Sequence, residues 1–262
     1  MKRAYADIPE GQIHYRIEGS GEPILLLHAG VTSSDEYTRV IPFLSKTYCA
    51  IAPDFLGNGD SDPARYPYDI FDHARTVVNF MDCLGIKKAI VVGQHAGAKV
   101  GIELAVTWPE RVNKLVLSST GYYPAAGEAK AITDPPNFTS AVELKPDGSH
   151  LMEWWRRSAL WGHPLDIVEA RFLEYVKAGP RGEEIHWAGR NYDSRPKFPF
   201  IKCPTLVLSA THDPMCAVAE DVKRLIPKSK LTIIENGPID VNRVWPKEFA
   251  AAVLSFLNTP SV

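Results

Sequence analysis

The chain contains no run approaching the roughly 18 consecutive apolar residues of a membrane span, so no segment reads as a bilayer-crossing helix. Its first residues, Met1-Lys2-Arg3-Ala4-Tyr5, lack the apolar core of a secretory signal, and the expected location is the cytoplasm. No basic run exceeds Arg156-Arg157 and the formal net charge is -2, which argues against nucleic acid or an anionic membrane as partner. Cysteine is scarce. Cys49, Cys83, Cys203 and Cys216 have no metal-site spacing and read as reduced thiols, with Cys49 and Cys203 in or beside apolar runs. His150, His163 and His186 are scattered without ligand spacing, so neither a metal nor a cofactor is expected. What remains is an ordinary globular composition, 45% hydrophobic and 23% charged over 262 residues, enough to bury a substantial core. A small-molecule substrate or ligand is the expected partner. The oligomeric state stays open, a homodimer among the options.

Strand and helix signals alternate along the chain. Ile13 to Glu18 alternate in polarity, and Gly19-Ser20-Gly21 turns the chain into Pro23–Leu27, a continuous apolar run that fits a strand buried on both faces. That run ends in His28-Ala29-Gly30, after which Thr32-Ser33-Ser34-Asp35 predicts the cap of a helix, with Asp35 and Glu36 in its first turn. Cys49-Ala50-Ile51-Ala52 is the next strand and leads into an irregular loop from Pro53 to Asp62. A helix is predicted from about Ile70 to Leu84, stopped by Gly85. A strand ending near Val92, a helix from Lys99 to Thr107 and a buried strand from Val112 to Leu117 follow. From Gly121 to Pro199 the alternation breaks, and an aromatic helical stretch, Leu151 to Trp161, stands in a region rich in proline and glycine. It resumes with strands at Cys203 to Leu208 and Leu231 to Ile234, a helix to Leu225 and an amphipathic helix from Pro246 to Leu257. This order predicts the α/β class, a mostly parallel doubly wound sheet flanked by helices. Residues 1–120 and 201–262 would form the core and 121–200 a helical cap.

The stretch Gly93-Gln94-His95-Ala96-Gly97 joins a strand to a helix, with two glycines flanking a central residue where strand and helix pack too closely for side chains. Other pieces stand in order around it. They are His28-Ala29-Gly30, the loop Asp54 to Asp62 in the style D-x-x-G-x-G-x-S, Trp108-Pro109-Glu110-Arg111-Val112, and Pro204 to Leu208 backed by Asp213-Pro214. Together they resemble the α/β-hydrolase fold superfamily over nearly the whole chain. The resemblance implies a G-x-S-x-G nucleophile elbow, an acid after the returning strand, a histidine after the last strand and a cap over the site. The acid matches Asp213. The nucleophile position holds His95, and the histidine position, counted back from Phe249, falls on Ile239 in a loop without histidine. Because that loop has no histidine, no Ser-His pair of the esterase or lipase type is expected even if another serine comes near. The elbow aspartate of haloalkane dehalogenase and epoxide hydrolase variants is missing too.

The imidazole of His95 would extend into the room beside Ile239 and meet Asp213, giving a general base with a pKa near 7 or, less directly, a nucleophile. The resemblance makes the backbone amides of Gly30 and Ala96 the oxyanion hole. Such a set suits hydrolysis of an ester or lactone, or cofactor-independent lyase or decarboxylase chemistry beside a carbonyl. The alternative is a catalytically inactive receptor, with His95 plugging a dead site and Asp213 capping the helix begun by Pro214. His28 reads as a wall of the site or as a structural hydrogen-bonding residue beneath it. Trp154, Trp155 and Trp161 predict a cap that favours a small apolar or aromatic compound, although i, i+1 and i+7 do not share one helix face and part of this set is core. The expected binding wall is therefore His28, Trp154, Trp155 and Ile239.

Overall fold

The buried apolar runs become the centre of one sheet. A computed structural model of the chain, described over residues 1–122 and 142–259, contains strands β1 (Lys2–Ile8), β2 (Gly11–Glu18), β3 (Pro23–Leu27), β4 (Cys49–Pro53), β5 (Ala89–Gln94), β6 (Val112–Ser118), β7 (Thr205–Ala210) and β8 (Ser229–Ile234). They lie in the order β1-β2-β4-β3-β5-β6-β7-β8. Pairing is parallel from β4 through β8, while β2 runs antiparallel to both β1 and β4. The mostly parallel, doubly wound sheet expected from the sequence is therefore present.

Helices α1 (Ile41–Leu44), α2 (Ile70–Cys83), α3 (Ala96–Thr107), α7 (Ala219–Leu225), α8 (Val241–Val244) and α9 (Pro246–Leu257) belong to the sheet region. Helices α4 (His150–Ala159), α5 (Leu165–Ala178) and α6 (Glu184–Asn191) lie between β6 and β7 as the cap. Alternate strand residues point to opposite faces, and two apolar clusters result. Leu25, Leu27, Val91, Leu115 and Val207 join α2 and α3 on one side. Ile24, Leu26, Val92, Val116 and Leu206 join α9 on the other. No helix among the described residues is long and apolar enough to cross a membrane.

Two elements differ from the sequence expectation. Strand β1 is largely exposed at the sheet edge, so it carries little apolar signal. The helix predicted after Ser34 is only a 3-10 turn, Ser34–Tyr37, followed by the four-residue α1. Ser33 caps that turn, accepting from the Asp35 amide, and Glu36 is drawn away from capping into the interior.

Candidate active site

The turn between β5 and α3 is fixed by close backbone contact. A Cβ on Gly93 would lie 2.4 Å from the Gly97 carbonyl oxygen, and one on Gly97 would lie 2.2 Å from that of Leu27. Between them His95 takes φ 47 and ψ -108, a region side chains rarely occupy. Its N–H donates to the Ser118 carbonyl at 3.0 Å, and its own carbonyl accepts from Ala98 and Lys99 to open α3. The strained turn lifts the imidazole above the carboxyl edge of the sheet.

The structure brings His95 and Asp213 together. Nε2 of the ring is 3.2 Å from Oδ2 of the carboxylate, with the imidazole 26% exposed and Asp213 fully buried. The other oxygen, Oδ1, accepts the Met215 amide at 2.8 Å. Asp213 therefore caps the following turn and faces the elbow at once. The approach is a charge contact, since Oδ2 has no donor in aligned hydrogen-bond geometry among the described residues. Burial disfavours the charged ring, but Asp213, followed by Asp240 and Glu36, outweighs it and raises the His95 pKa to about 9. This lies above the near-neutral value expected from a simple dyad.

Gly30, Ala96 and Ile239 line the same cavity, of about 110 Å³, as His95 and Asp213. The Gly30 loop is held from below by Glu36, whose Oε2 accepts the Ala29 amide at 2.8 Å and the Thr32 hydroxyl at 2.6 Å. Asn242 donates to its Oε1 at 2.7 Å. From above, the Gly30 position lies so close to α6 that an added Cβ would stand 2.8 Å from Cβ of His186.

Three of the expected wall residues lie elsewhere. His28 is completely buried and is not on the cavity wall. Its Nδ1 meets the Ala29 carbonyl at 2.7 Å and its Nε2 accepts the Phe55 amide at 2.9 Å, so it is a strut between two loops. Trp154 is buried against Val31 and Tyr175. Trp155 packs edge-on against Phe172, with ring centroids 5.5 Å apart. Helical geometry turns Trp155 onto α5 and Trp154 into the seam between α5 and Val31 of the core, and Trp161, just past the end of α4, reaches the cavity instead.

The sequence reading missed Asp240, Arg171 and Ser119, all on the cavity wall. Asp240 follows Ile239, so the loop that lacks the family histidine does carry a carboxylate. It accepts from His163 Nε2 at 3.1 Å and is paired with Arg171 from α5. Burial favours the neutral acid, but Arg171 and His163 hold Asp240 ionised well below the usual carboxylate range. In the D-x-x-G-x-G-x-S loop, the Asp54 carboxylate accepts from the amides of Ser34 and Asp60 and from His14 Nδ1. His14, Asp54 and exposed Asp60 bring ligand-type atoms within 4.8 Å of one another, yet the Asp54 oxygens are already occupied by these donors.

A helix-flanked parallel sheet with a strained elbow at its centre, an acid loop after β7 and a capped cavity at the carboxyl edge defines a substrate-site architecture. The sequence pattern of the alpha/beta hydrolase fold family matches residues 22–161, and the chain belongs to that family. It is 39% identical over 120 residues to haloalkane dehalogenase 2 of Mycobacterium tuberculosis, covering 45% of this chain and 42% of that protein. It is 30% identical over 127 residues to a cis-3-alkyl-4-alkyloxetan-2-one decarboxylase of Shewanella oneidensis, covering 47% of this chain and 40% of that protein. The chain thus spans less than half the length of these curated relatives. Its fold is similar to a bromoperoxidase from Bacillus anthracis, with a TM-score of 0.84 at 22% identity over 98% of this chain and 100% of the other.

Proposed function

We propose that this chain is an enzyme acting on a small carbonyl compound, by ester or lactone hydrolysis or by cofactor-independent lyase or decarboxylase chemistry. His95 is the proton-transfer group and Asp213 orients it. The observation that carries this reading is the 3.2 Å contact between the elbow imidazole and the acid-loop carboxylate. The amides of Gly30 and Ala96 serve as oxyanion donors, and both residues belong to the same cavity wall. The naming of one relative as a decarboxylase supports the lyase arm. We take the expected cap, residues 121–200, of which 123–141 lie outside the described residues, as the lid, and a cytoplasmic small molecule as the substrate, with no nucleic-acid or membrane partner.

With its pKa raised to about 9, chiefly by Asp213, His95 is mostly cationic at neutral pH and the base form is the minor one. The neutral ring, whose share grows as pH rises, is the working base, and the cation it becomes on taking a proton returns that proton to the leaving group or developing enolate. Trp161, Met215 and Ile239 give the wall an apolar part, while Arg171 and Asp240 form a charged edge.

The test is a turnover screen of small esters, lactones, β-keto acids and aromatic ketones at pH 9, comparing the native protein with His95→Ala. Product formed by the native protein and lost in the variant supports the reading. Compounds that bind equally to both proteins without turnover favour the receptor alternative.

A further inference from the structure

We propose that Ser119 is the nucleophile of this site, activated by His95, so that a serine, a histidine and an aspartate are assembled from positions 119, 95 and 213. The proposal rests on the reading of His95 as the base. The loop after β8 lacks a histidine, but a serine-histidine pair needs none there when the histidine stands at the elbow.

The register places Ser119 between the other two residues. Ser118, the last residue of β6, is paired with Gln94 on β5 and with Leu208 on β7. The Ser118 carbonyl accepts the His95 amide, and the Ser119 amide donates to Leu208, so residue 119 leaves the sheet between the elbow and the acid loop. Its backbone is strained in the same sense as the elbow: φ is 49 at Ser119 and 47 at His95. Two neighbouring strands thus end in non-glycine residues at positive φ, a conformation that persists where surrounding structure enforces it and that clusters at active sites.

The hydroxyl itself is uncommitted. Two residues with hydroxyl side chains, Thr32 and Ser119, are on the cavity wall among the described residues. Thr32 Oγ1 is spent on Glu36 and the Ala29 carbonyl. Ser119 is 1% exposed and its Oγ has no hydrogen-bond partner. Buried hydroxyls are normally satisfied, so a buried Oγ without a partner, in a residue that lines the cavity, has no hydrogen bond to give up on turning toward a reacting group. Rotation about its Cα–Cβ bond moves Oγ without moving the backbone.

The chemistry balances without a co-reactant other than water. The neutral ring of His95 takes the hydroxyl proton as Oγ adds to the carbonyl carbon, and the carbonyl electron pair moves to oxygen between the Gly30 and Ala96 amides. Collapse breaks the bond to the alcohol leaving group, which receives the proton from the ring. Water then repeats the sequence, releasing the acid and restoring Ser119.

The test treats the native protein, Ser119→Gly and His95→Ala with a fluorophosphonate probe at pH 9, locates any adduct by peptide mass spectrometry, and measures p-nitrophenyl acetate hydrolysis in parallel. Glycine accepts φ 49, so Ser119→Gly should keep the native melting temperature while losing the hydroxyl. The proposal expects one adduct, on Ser119, absent from both variants, and a loss of hydrolysis of about 100-fold or more in Ser119→Gly. An adduct elsewhere, or His95-dependent hydrolysis that Ser119→Gly leaves within twofold, overturns the role of Ser119 while the His95 reading stands. No labelling and no His95-dependent hydrolysis overturns the role of Ser119 together with the hydrolytic arm of the His95 reading, while loss of every turnover in the wider screen overturns that reading itself.

Discussion

Nε2 of His95 lies 3.2 Å from Oδ2 of Asp213, across 118 positions of sequence, because the elbow and the acid loop leave nearby strands of one parallel sheet. The two side chains come from β5 and β7, with β6 between them. Histidine at the elbow is long enough to bridge that gap, and Ile239 beside it has no polar group to compete for the carboxylate.

The elbow glycines tolerate no side chain. Gly97→Ala should destabilise the fold on the order of 3 kcal/mol or more, because its Cβ meets the backbone of Leu27 and His28, neither of which can rotate away. Gly85→Ala meets nothing within 4 Å and suffers only from its φ of +69, so about 1 kcal/mol is expected. Urea denaturation of both variants checks the difference.

Trp154 and Trp161 should separate stability from binding. Trp154→Ala removes a buried ring packed between Tyr175 of the cap and Val31 of the core and should cost about 3–5 kcal/mol with little change in KM. Trp161→Ala removes a cavity wall and should raise KM roughly tenfold, equivalent to ~1.4 kcal/mol, with the melting temperature nearly unchanged. Steady-state kinetics alongside thermal melts distinguish the two.

The Asp240–Arg171 pair fastens the cap to the core. Asp240→Asn leaves the buried guanidinium without its carboxylate and should cost about 3–5 kcal/mol in a denaturant melt. It should also lower the His95 pKa, since Asp240 is one of the charges that raises it. The exposed pair between Lys177 and Asp60 also joins cap to core, and Lys177→Ala should leave the melt unchanged.

What the sequence made legible was local. Glycines at 93 and 97 are demanded by contacts within one turn, and Asp213 follows a strand whose apolar run is unmistakable, so the fold, the elbow and the meeting of His95 with Asp213 could be anticipated. The pairing of Asp240 with Arg171 spans 69 positions and leaves no periodicity to detect. Ser119 is one of many serines until its positive φ and lack of a partner are seen. The tryptophans misled because composition shows that a helix is aromatic but not which face it turns inward. The His95 pKa also escaped, as it depends on Asp240 and Glu36 gathering around the ring with Asp213.

The most direct test of the account is to titrate the His95 ring by NMR and overlay the result on the pH dependence of kcat/KM. Below its folded pKa the ring is protonated and the base form is scarce, so the rate should rise about tenfold per pH unit and level off near pH 9, where the ring titrates. Asp213→Asn removes the nearest carboxylate and should move both curves down by about one to three pH units. A ring that titrates near 6.5 and ignores Asp213→Asn, or a rate that stays flat from pH 6 to 10, would contradict the claim that this elbow histidine performs the chemistry.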